Sequence, residues 1–355
     1  MHNFNAGPSV LPIEVFQKAS EAVLNFHNSG LSILEIGHRT ALFEDVMYEA
    51  RSLVKELMML DDDHEVLFLH GGATTQFMQV PMNLLSENEM AVYTETGTWA
   101  EKAIKEAKLF GHVEIVGSTK ETNYTSIPKN ISVPATASYL HITTNETIAG
   151  TQWHQLPYDC GVPLVADMSS DILSRTLNFN KFDLIYAGAQ KNMGAAGVNL
   201  VVVNKNILGK VNRKIPTILD YRNHIKEESM LNTPPVFAVY VAMLTLRWLK
   251  GQGGVTAIEQ INNKKAELLY STLEKIPFIN LPVAKEDRSK MNVVFTMNNE
   301  KLEKEFLQLC NDHQMYGVKG HRSVGGFRLS LYNALSINSV GAFTDLMKQF
   351  AKTHG

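Results

Sequence analysis

The sequence predicts an α/β protein whose large domain has a mixed, mainly parallel sheet and whose C-terminal end forms a smaller α+β domain. Two observations predict this architecture. Through the middle of the 355-residue chain, short β-rich runs alternate with longer amphipathic runs, which is typical of parallel strands joined by helices. After residue 290 the pattern changes to strand, helix, strand, helix. A chain of this length also commonly divides into two packed domains.

The elements follow from hydrophobic periodicity. The candidate strands of the large sheet are Glu65–His70, Glu89–Thr94, Val113–Gly117, Ser138–Thr143, Leu164–Asp167, Leu184–Ala187 and Val198–Val203. The helical runs between and after them are Thr75–Leu85, Trp99–Phe110, Pro235–Lys250 and Val255–Glu274. The C-terminal unit comprises the strands Met291–Met297 and Gly326–Ser330 and the helices Glu300–His313 and Ser336–Lys352.

Composition and charge exclude several classes of protein. The net charge is −3 and no run of Lys and Arg occurs, so neither a nucleic acid nor an anionic membrane is an expected partner. No apolar run approaches the roughly 18 residues that span a bilayer, and the first residues do not resemble a signal peptide. Cys160 and Cys310 form no CxxC pair, and the acidic run Asp61–Asp63 is typical of a solvated turn. We therefore expect a cytoplasmic protein without a metal site.

A single lysine lies in a loop of small residues after the strand at 184–187. The loop reads Gly188-Ala189-Gln190-Lys191-Asn192-Met193-Gly194. A lone loop lysine is usually a surface residue, but small neighbours let a bulky planar group approach the backbone. A lysine that forms a Schiff base needs that room, and its amine must lose its proton near neutral pH. Lys191 is therefore a candidate attachment point for a cofactor.

An aspartate ends another apolar strand. Asp167 closes the run 164–167, and the carboxyl ends of parallel strands form the edge where α/β proteins bind ligands. On its own this position favours a helix N-cap. Beside Lys191 a second role is reasonable, because a carboxylate next to a pyridine nitrogen keeps that nitrogen protonated and makes the ring an electron sink.

The strand at 65–70 leads into a turn of small residues, Gly71-Gly72-Ala73-Thr74-Thr75-Gln76. The backbone N–H groups of such a turn, at the start of a helix, can hold an anion. The signal is weak by itself, since many strand-to-helix turns contain two glycines. The turn also lacks the GK[ST] ending of a P-loop, and no GxGxxG motif occurs in the chain.

Two His-Arg pairs and one further arginine provide cations for an anionic substrate. They are His38-Arg39, His321-Arg322 and Arg328. Guanidinium groups bind carboxylate and phosphate through two parallel hydrogen bonds, which suits a doubly anionic substrate. Taken singly, each of these positions is typical of ordinary surface charge.

Together these segments resemble the phosphoserine aminotransferases, a family in class V of the aminotransferases that use pyridoxal 5′-phosphate (PLP). The resemblance covers nearly the whole chain. Its motifs are Asn3–Ser9, Gly37–Arg39, His70–Gly72, Asn145–Ile148, Ala166–Ser170, Tyr186–Asn192, Asn232–Pro235 and His321–Gly326. It implies the aspartate-aminotransferase-like fold (fold type I), with a large domain at 16–254 and a small domain formed by 1–15 and 255–355. It also implies a homodimer with shared active sites.

The activity implied by the resemblance is the reversible transfer of the amino group of L-glutamate to 3-phosphohydroxypyruvate. The products are O-phospho-L-serine, in serine biosynthesis, and 2-oxoglutarate; related substrates of pyridoxine synthesis stay open. Lys191 and Asp167 would be catalytic, with Lys191 holding PLP and moving the α-proton and Asp167 pairing with the ring nitrogen. Trp99 would stack on the ring, and Thr147 would bind the ring hydroxyl oxygen.

The resemblance also assigns the anion-binding roles. The cofactor phosphate would be held by Ala73, Thr74 and Gln190, together with Asn232 and Thr233 from the other subunit. Arg328 would bind the α-carboxylate of the substrate. The distal phosphate, or the side-chain carboxylate of glutamate, would be bound by His38, Arg39, His321 and Arg322.

One departure and two alternatives remain. Some members of the family carry an arginine where this chain has Thr74, so one candidate contact to the distal anion is missing. A class V enzyme for a different acid is one alternative, although Cys310, in a helical pattern, argues against a cysteine desulfurase. The other is a non-catalytic cofactor- or anion-binding protein, which has no need of Lys191 and Asp167.

Overall fold

The computed structural model describes residues 1–354, and strands and helices alternate along it as the sequence predicts. The strands are β1 (His2–Asn3), β2 (His64–His70), β3 (Met90–Glu95), β4 (His112–Ser118), β5 (Leu140–Thr143), β6 (Asn145–Glu146), β7 (Thr151–Gln152), β8 (Leu164–Asp167), β9 (Leu184–Gly188), β10 (Val198–Asn204), β11 (Ile279–Asn280), β12 (Asn292–Met297), β13 (Met315–Tyr316) and β14 (Phe327–Ser330). The helices are α1 (Ile13–Leu24), α2 (Ala41–Met58), α3 (Gly72–Leu84), α4 (Thr98–Ala107), α5 (Tyr221–Lys226), α6 (Val236–Gly251), α7 (Gly254–Leu273), α8 (Glu300–Asp312) and α9 (Ile337–His354).

Seven strands form the large sheet, in the order β2-β10-β9-β8-β5-β3-β4. β10 is antiparallel to both β2 and β9, whereas the other neighbouring pairs are parallel. All these strands except β10 therefore end at the same edge of the sheet. This confirms the mixed, mainly parallel sheet, and it brings the segments that follow β2, β3, β5, β8 and β9 together at one edge.

Both faces of the sheet are covered, because its strands are apolar on both sides. Val66 and Phe68 of β2 face the core formed with α1, α2 and α6. The alternate residues Leu67 and Leu69 face a second core, to which α3 and α4 contribute. Successive side chains of a strand point to opposite faces, so one apolar run supplies both cores.

The start of α3 was placed too late by the sequence prediction. The helix begins at Gly72 instead of Thr75, so Ala73 and Thr74 lie in its first turn. Gly71 and Gly72 adopt φ angles of 93° and 65°, which residues with a β-carbon rarely adopt. The two glycines therefore allow a sharp entry from β2 into the helix. The sequence prediction also did not include α1 and α2. The exposed turn predicted at 61–63 is confirmed.

A separate hydrophobic core lies in the C-terminal part of the chain. Here β12 lies between β11 and β14, and α7, α8 and α9 contribute Leu269, Phe306 and Phe343 to the core. The first residues of the chain belong to this core as well, since β1 pairs with β13 and Phe4 is fully buried there. We propose that the domains divide as the sequence suggests, at 16–254 and at 1–15 with 255–355. In residues 1–354, no helix combines the length and the hydropathy that crossing a membrane requires.

A buried lysine holds the segment that follows β14. The side chain of Lys265 in α7 is fully buried, and its Nζ donates hydrogen bonds to the carbonyl oxygens of Leu331, Tyr332 and Leu335 at 2.8, 2.8 and 3.2 Å. Burial lowers the pKa of Lys265 to about 7. Within the same segment, the backbone N–H of Asn333 donates to the side-chain oxygen of Asn192, beside Lys191. Lys265 therefore holds the segment that contacts the loop of Lys191.

Lys265→Met tests this connection. The substitution keeps most of the side-chain volume but removes the Nζ donor from three buried carbonyl groups, of which only that of Tyr332 also accepts from the backbone N–H of Leu335. We expect the free energy of unfolding to fall by roughly 2–4 kcal/mol, measured by urea unfolding of the full chain. The matched control is Lys264→Met, the exposed neighbour on the same helix, for which we expect a change within about 0.5 kcal/mol. Equal stability of the two variants would contradict this role for Lys265.

Candidate active site

The predicted catalytic residues come together at the edge where the parallel strands end. Asp167 is the last residue of β8, and Lys191 lies three residues beyond the end of β9, its neighbour in the sheet. Thr147 directly follows β6, and Trp99 is in the first turn of α4. The structure thus collects residues that are far apart in the sequence at one place.

The amine of Lys191 is at the centre of this group. Its Nζ donates a hydrogen bond to Oγ1 of Thr147 at 2.7 Å and lies 5.2 Å from the centre of the Trp99 ring. Burial lowers the pKa of Lys191 to about 8, although the charges of Asp167 and Glu146 act in the opposite direction. Such an amine is far easier to deprotonate near neutral pH than an ordinary lysine.

The N-terminal segment holds the Lys191 loop from outside the sheet. The backbone N–H of Ser9 donates to the carbonyl of Gln190 at 3.0 Å, and the Ser9 hydroxyl donates to the carbonyl of Lys191. Gly7 packs against the Lys191 side chain so closely that a β-carbon would lie 3.3 Å from Cγ. The sequence prediction gave Ser9 no role. Its position in the Asn3–Ser9 motif was the available signal.

Asp167 does not cap a helix. The residues after it form turns, and its Oδ1 accepts a hydrogen bond from the backbone N–H of Ser169 at 2.9 Å. Burial raises the pKa of Asp167, and the hydrogen bond from Ser169 opposes that shift. A second carboxylate, that of Asp171, is also buried nearby and accepts hydrogen bonds from Thr144 and Arg175. The structure therefore removes the N-cap alternative.

Glu146 is a buried acid that the sequence prediction left out of the site. One carboxyl oxygen lies 3.4 Å from both the hydroxyl of Thr96 and the backbone nitrogen of Ala100, at the start of α4. Gly97 makes room for it, because a β-carbon there would lie 2.4 Å from the carboxyl group. Burial, followed by the charge of Asp167, raises the pKa of Glu146 to about 8. Its position in the Asn145–Ile148 motif was the available signal.

Several buried polar atoms around Lys191 have no partner within residues 1–354. They are Nε1 of Trp99, the second carboxyl oxygen of Glu146 and Nε of Arg328. Buried polar groups are normally hydrogen-bonded, so two unpaired donors and an unpaired carboxyl oxygen beside the Lys191 amine indicate a site for a polar ligand. No cluster of His, Cys, Asp or Glu able to hold a metal ion occurs in the described part of the chain.

The turn after β2 has the form of an anion site. Ala73 and Thr74 lie in the first turn of α3, where backbone N–H groups have no partner inside the helix. A β-carbon at Gly72 would meet nothing within 4 Å, so there is open space beside this glycine. Thr233 lies beside the same strand end, since its carbonyl contacts Nε2 of His70 at 2.7 Å. The roles predicted for Thr233 and its neighbour Asn232 in the other subunit stay predictions.

The cationic residues differ in burial. Arg328, in β14 opposite Val294, is half-buried, whereas Arg322 is exposed in the turn before that strand. Burial lowers the pKa of His321, and the charges of Arg328, Arg322 and Lys102 lower it further, which indicates that these groups share one region. Lys102 is a cation that the sequence prediction missed.

The other His-Arg pair precedes α2. His38 is half-buried with its Nε2 unpaired among the described residues, and Arg39 is exposed. Neither side chain forms a hydrogen bond within residues 1–354. Their predicted contact with the distal anion therefore stays a prediction.

Known proteins similar to this chain in sequence and structure are aminotransferases. The model of the class-V aminotransferase family matches residues 1–343. The chain is 57% identical to a phosphoserine aminotransferase of Flavobacterium johnsoniae over 98% of each chain. Its structure is similar to that of a phosphoserine aminotransferase from Bacillus circulans subsp. alkalophilus, with a TM-score of 0.97, 42% identity and 99% of each chain covered. A PLP-bound phosphoserine aminotransferase from Trichomonas vaginalis gives a TM-score of 0.92 at 34% identity over 98% of this chain and 99% of that chain.

The pKa of Lys191 can be measured in the cofactor-free protein. An amine-directed reagent attacks only the neutral amine, so the pH dependence of labelling, read residue by residue by mass spectrometry, reports the pKa. We expect a midpoint near pH 8 for Lys191, well below the value of about 10.4 for an ordinary lysine. Asp167→Asn should lower the midpoint further, because the carboxylate raises it. A midpoint near 10 would contradict the burial argument.

Proposed function

The chain belongs to the class-V aminotransferase family, and we propose that it transfers the amino group of L-glutamate to 3-phosphohydroxypyruvate, reversibly, with PLP as its cofactor. The observation that carries the proposal is the amine of Lys191, buried beside Asp167 and Glu146 at an edge that also has cationic residues. A non-catalytic anion-binding protein has no use for a buried amine of lowered pKa.

The residues around Lys191 fit PLP. When bound, this cofactor supplies a carbonyl that exchanges amino groups and a ring that accepts electrons. Trp99 offers a ring face within 5.2 Å of the amine, and the first turn of α3, at Ala73 and Thr74, offers backbone N–H groups for the cofactor phosphate. Asp167 would keep the ring nitrogen protonated, and that positive charge would in turn favour its ionised form. Thr147 and Gln190 would bind the ring hydroxyl oxygen and the phosphate.

Lys191 has the properties of a general base for the α-proton. With a pKa of about 8, part of its amine is neutral near neutral pH, so it can take the proton from the α-carbon of an amino-acid substrate. The Thr147 hydroxyl, 2.7 Å away, orients the amine. The charges of Asp167 and Glu146 stabilise the ammonium form that results. The same amine can therefore take up a proton and return it.

The cationic residues determine which acids bind. Arg328, half-buried with an unpaired Nε, is suited to the α-carboxylate that every substrate carries. His321 and Arg322, with His38 and Arg39, would bind the second anion, which is a phosphate in one substrate and a carboxylate in the other. A charge-assisted hydrogen bond contributes about 1.5–3 kcal/mol, so preference for the phosphorylated acid requires several contacts together.

A homodimer in the cytoplasm is part of the proposal. Leu31 and Leu34, on the segment that leads to His38, are 47% and 64% exposed. Exposed apolar side chains beside a predicted binding residue support coverage of this segment by a second copy. In such a dimer, Asn232 and Thr233 of the partner subunit would complete the cofactor phosphate site.

The test is production of 2-oxoglutarate from L-glutamate by the PLP-loaded protein. The acceptor is 3-phosphohydroxypyruvate in one series, and hydroxypyruvate, pyruvate or glyoxylate in the others. We expect kcat/KM to be largest for the phosphorylated acid by at least about tenfold, since more than one cation contacts the phosphate. Turnover of the unphosphorylated acids alone would assign the chain to another reaction of its family. No turnover with any acid would overturn the proposed function.

Lys191→Ala tests the role of the amine. Removal of the general base and of the cofactor attachment should abolish transamination, a loss of at least about a thousandfold. The fold should be unchanged, because the amine makes a single hydrogen bond in the described chain. Circular dichroism and urea unfolding provide the control for folding. Appreciable turnover by a folded Lys191→Ala protein would refute the assignment.

A further inference from the structure

One exposed lysine at the rim of the site has no part in the function proposed above. Lys102 lies in α4, three residues after Trp99, and its Nζ is 4.4 Å from the centre of the Trp99 ring. Residues three apart on a helix are neighbours on its surface. The amine of Lys191 lies 5.2 Å from the same ring. One aromatic side chain thus brings the exposed cation of Lys102 close to the reactive amine.

The charge of Lys102 is not neutralised by its neighbours. Lys102 forms no ion pair with a carboxylate among residues 1–354. The adjacent acid, Glu101, is already engaged, since it accepts from Nζ of Lys120 and from the Tyr124 hydroxyl, each at 2.7 Å. A cation that contacts only an aromatic ring and solvent keeps its electric field available to a ligand.

Lys102 acts in the same region as the predicted phosphate-binding residues. Its charge is felt by His321 together with those of Arg322 and Arg328, and all three oppose protonation of the imidazole. The charge of Arg328 also lowers the pKa of Lys191. The field at the rim therefore comes from at least three cations, of which Lys102 is contributed by the large sheet domain and the others by the C-terminal part of the chain.

We propose that Lys102 is a specificity-determining residue that favours phosphorylated over unphosphorylated oxo acids at this site. The inference rests on the proposed function, because it concerns the choice of acid in that reaction. A phosphate monoester carries a charge of about −1.5 to −2 at neutral pH, in addition to the carboxylate that both kinds of acid share. An exposed cation at the rim therefore attracts the phosphorylated acid more strongly.

The experiment compares kcat/KM for 3-phosphohydroxypyruvate with kcat/KM for hydroxypyruvate in the PLP-loaded full chain. In Lys102→Met the ratio of the two values should fall about two- to fivefold at low salt, the range for one exposed charge pair. Lys102→Glu, which reverses the charge, should lower the ratio further, and Lys102→Arg should keep it near that of the original chain. The differences should shrink at about 1 M salt, where screening acts within about 3 Å.

The matched controls are Lys105→Met and Lys105→Glu. Lys105 is exposed on the same helix but lies over no aromatic ring, so these changes alter the net charge equally and should leave the ratio unchanged. A ratio unaffected by the Met and Glu substitutions at Lys102, or lowered equally at Lys105, would overturn the inference. If the original chain shows no preference for the phosphorylated acid, the proposed function fails first, and this inference fails with it.

Discussion

The chemistry of the site depends on the burial of the Lys191 amine beside two buried carboxyl groups. Burial lowers the pKa of Lys191 and raises the pKa of both Asp167 and Glu146, because it disfavours the charged form of each group. The attraction between the ammonium and the carboxylates acts in the opposite direction. The pKa of Lys191 is lowered to about 8 and that of Glu146 is raised to about 8. The three groups therefore titrate as a cluster, and a proton removed from one changes the affinity of the others for theirs.

Buried hydrogen bonds join the large sheet domain, which carries Lys191, to the C-terminal part of the chain, which carries Arg328. Asn145, after β5, donates at 2.8 Å both to Ser170, near Asp167, and to Asn292 of β12. Asn292 in turn donates to Ser330 at the end of β14, two residues after Arg328. Polar contacts of this kind have defined directions, unlike apolar packing, so they fix one arrangement of the two parts of the chain.

Much of the site was predictable from the sequence because of one topological rule. Lys191 and Asp167 both follow apolar strands, and parallel strands end at one edge, so their proximity follows from the strand assignment. The role of Glu146 could not be predicted this way, because it faces the start of α4, 46 residues away in the sequence. Lys102 was missed for a related reason: exposed lysines are common on helices, and only its position over Trp99 distinguishes it. The contacts of His38 and Arg39 stay predictions, because neither side chain forms a hydrogen bond within residues 1–354.

The distribution of cations suits a site that must accept two different second anions. Every substrate of the proposed reaction has the same α-carboxylate, and there a half-buried guanidinium, that of Arg328, can supply directional hydrogen bonds. The second anion is planar in glutamate and tetrahedral in the phosphorylated acid, so a rigid buried clamp would fit only one of them. Exposed cations such as Arg322 and Lys102 supply charge with little directional demand, because their side chains can move. Directional hydrogen bonds thus suit the α-carboxylate that all substrates share, and mobile cationic side chains suit the second anion, which differs between them.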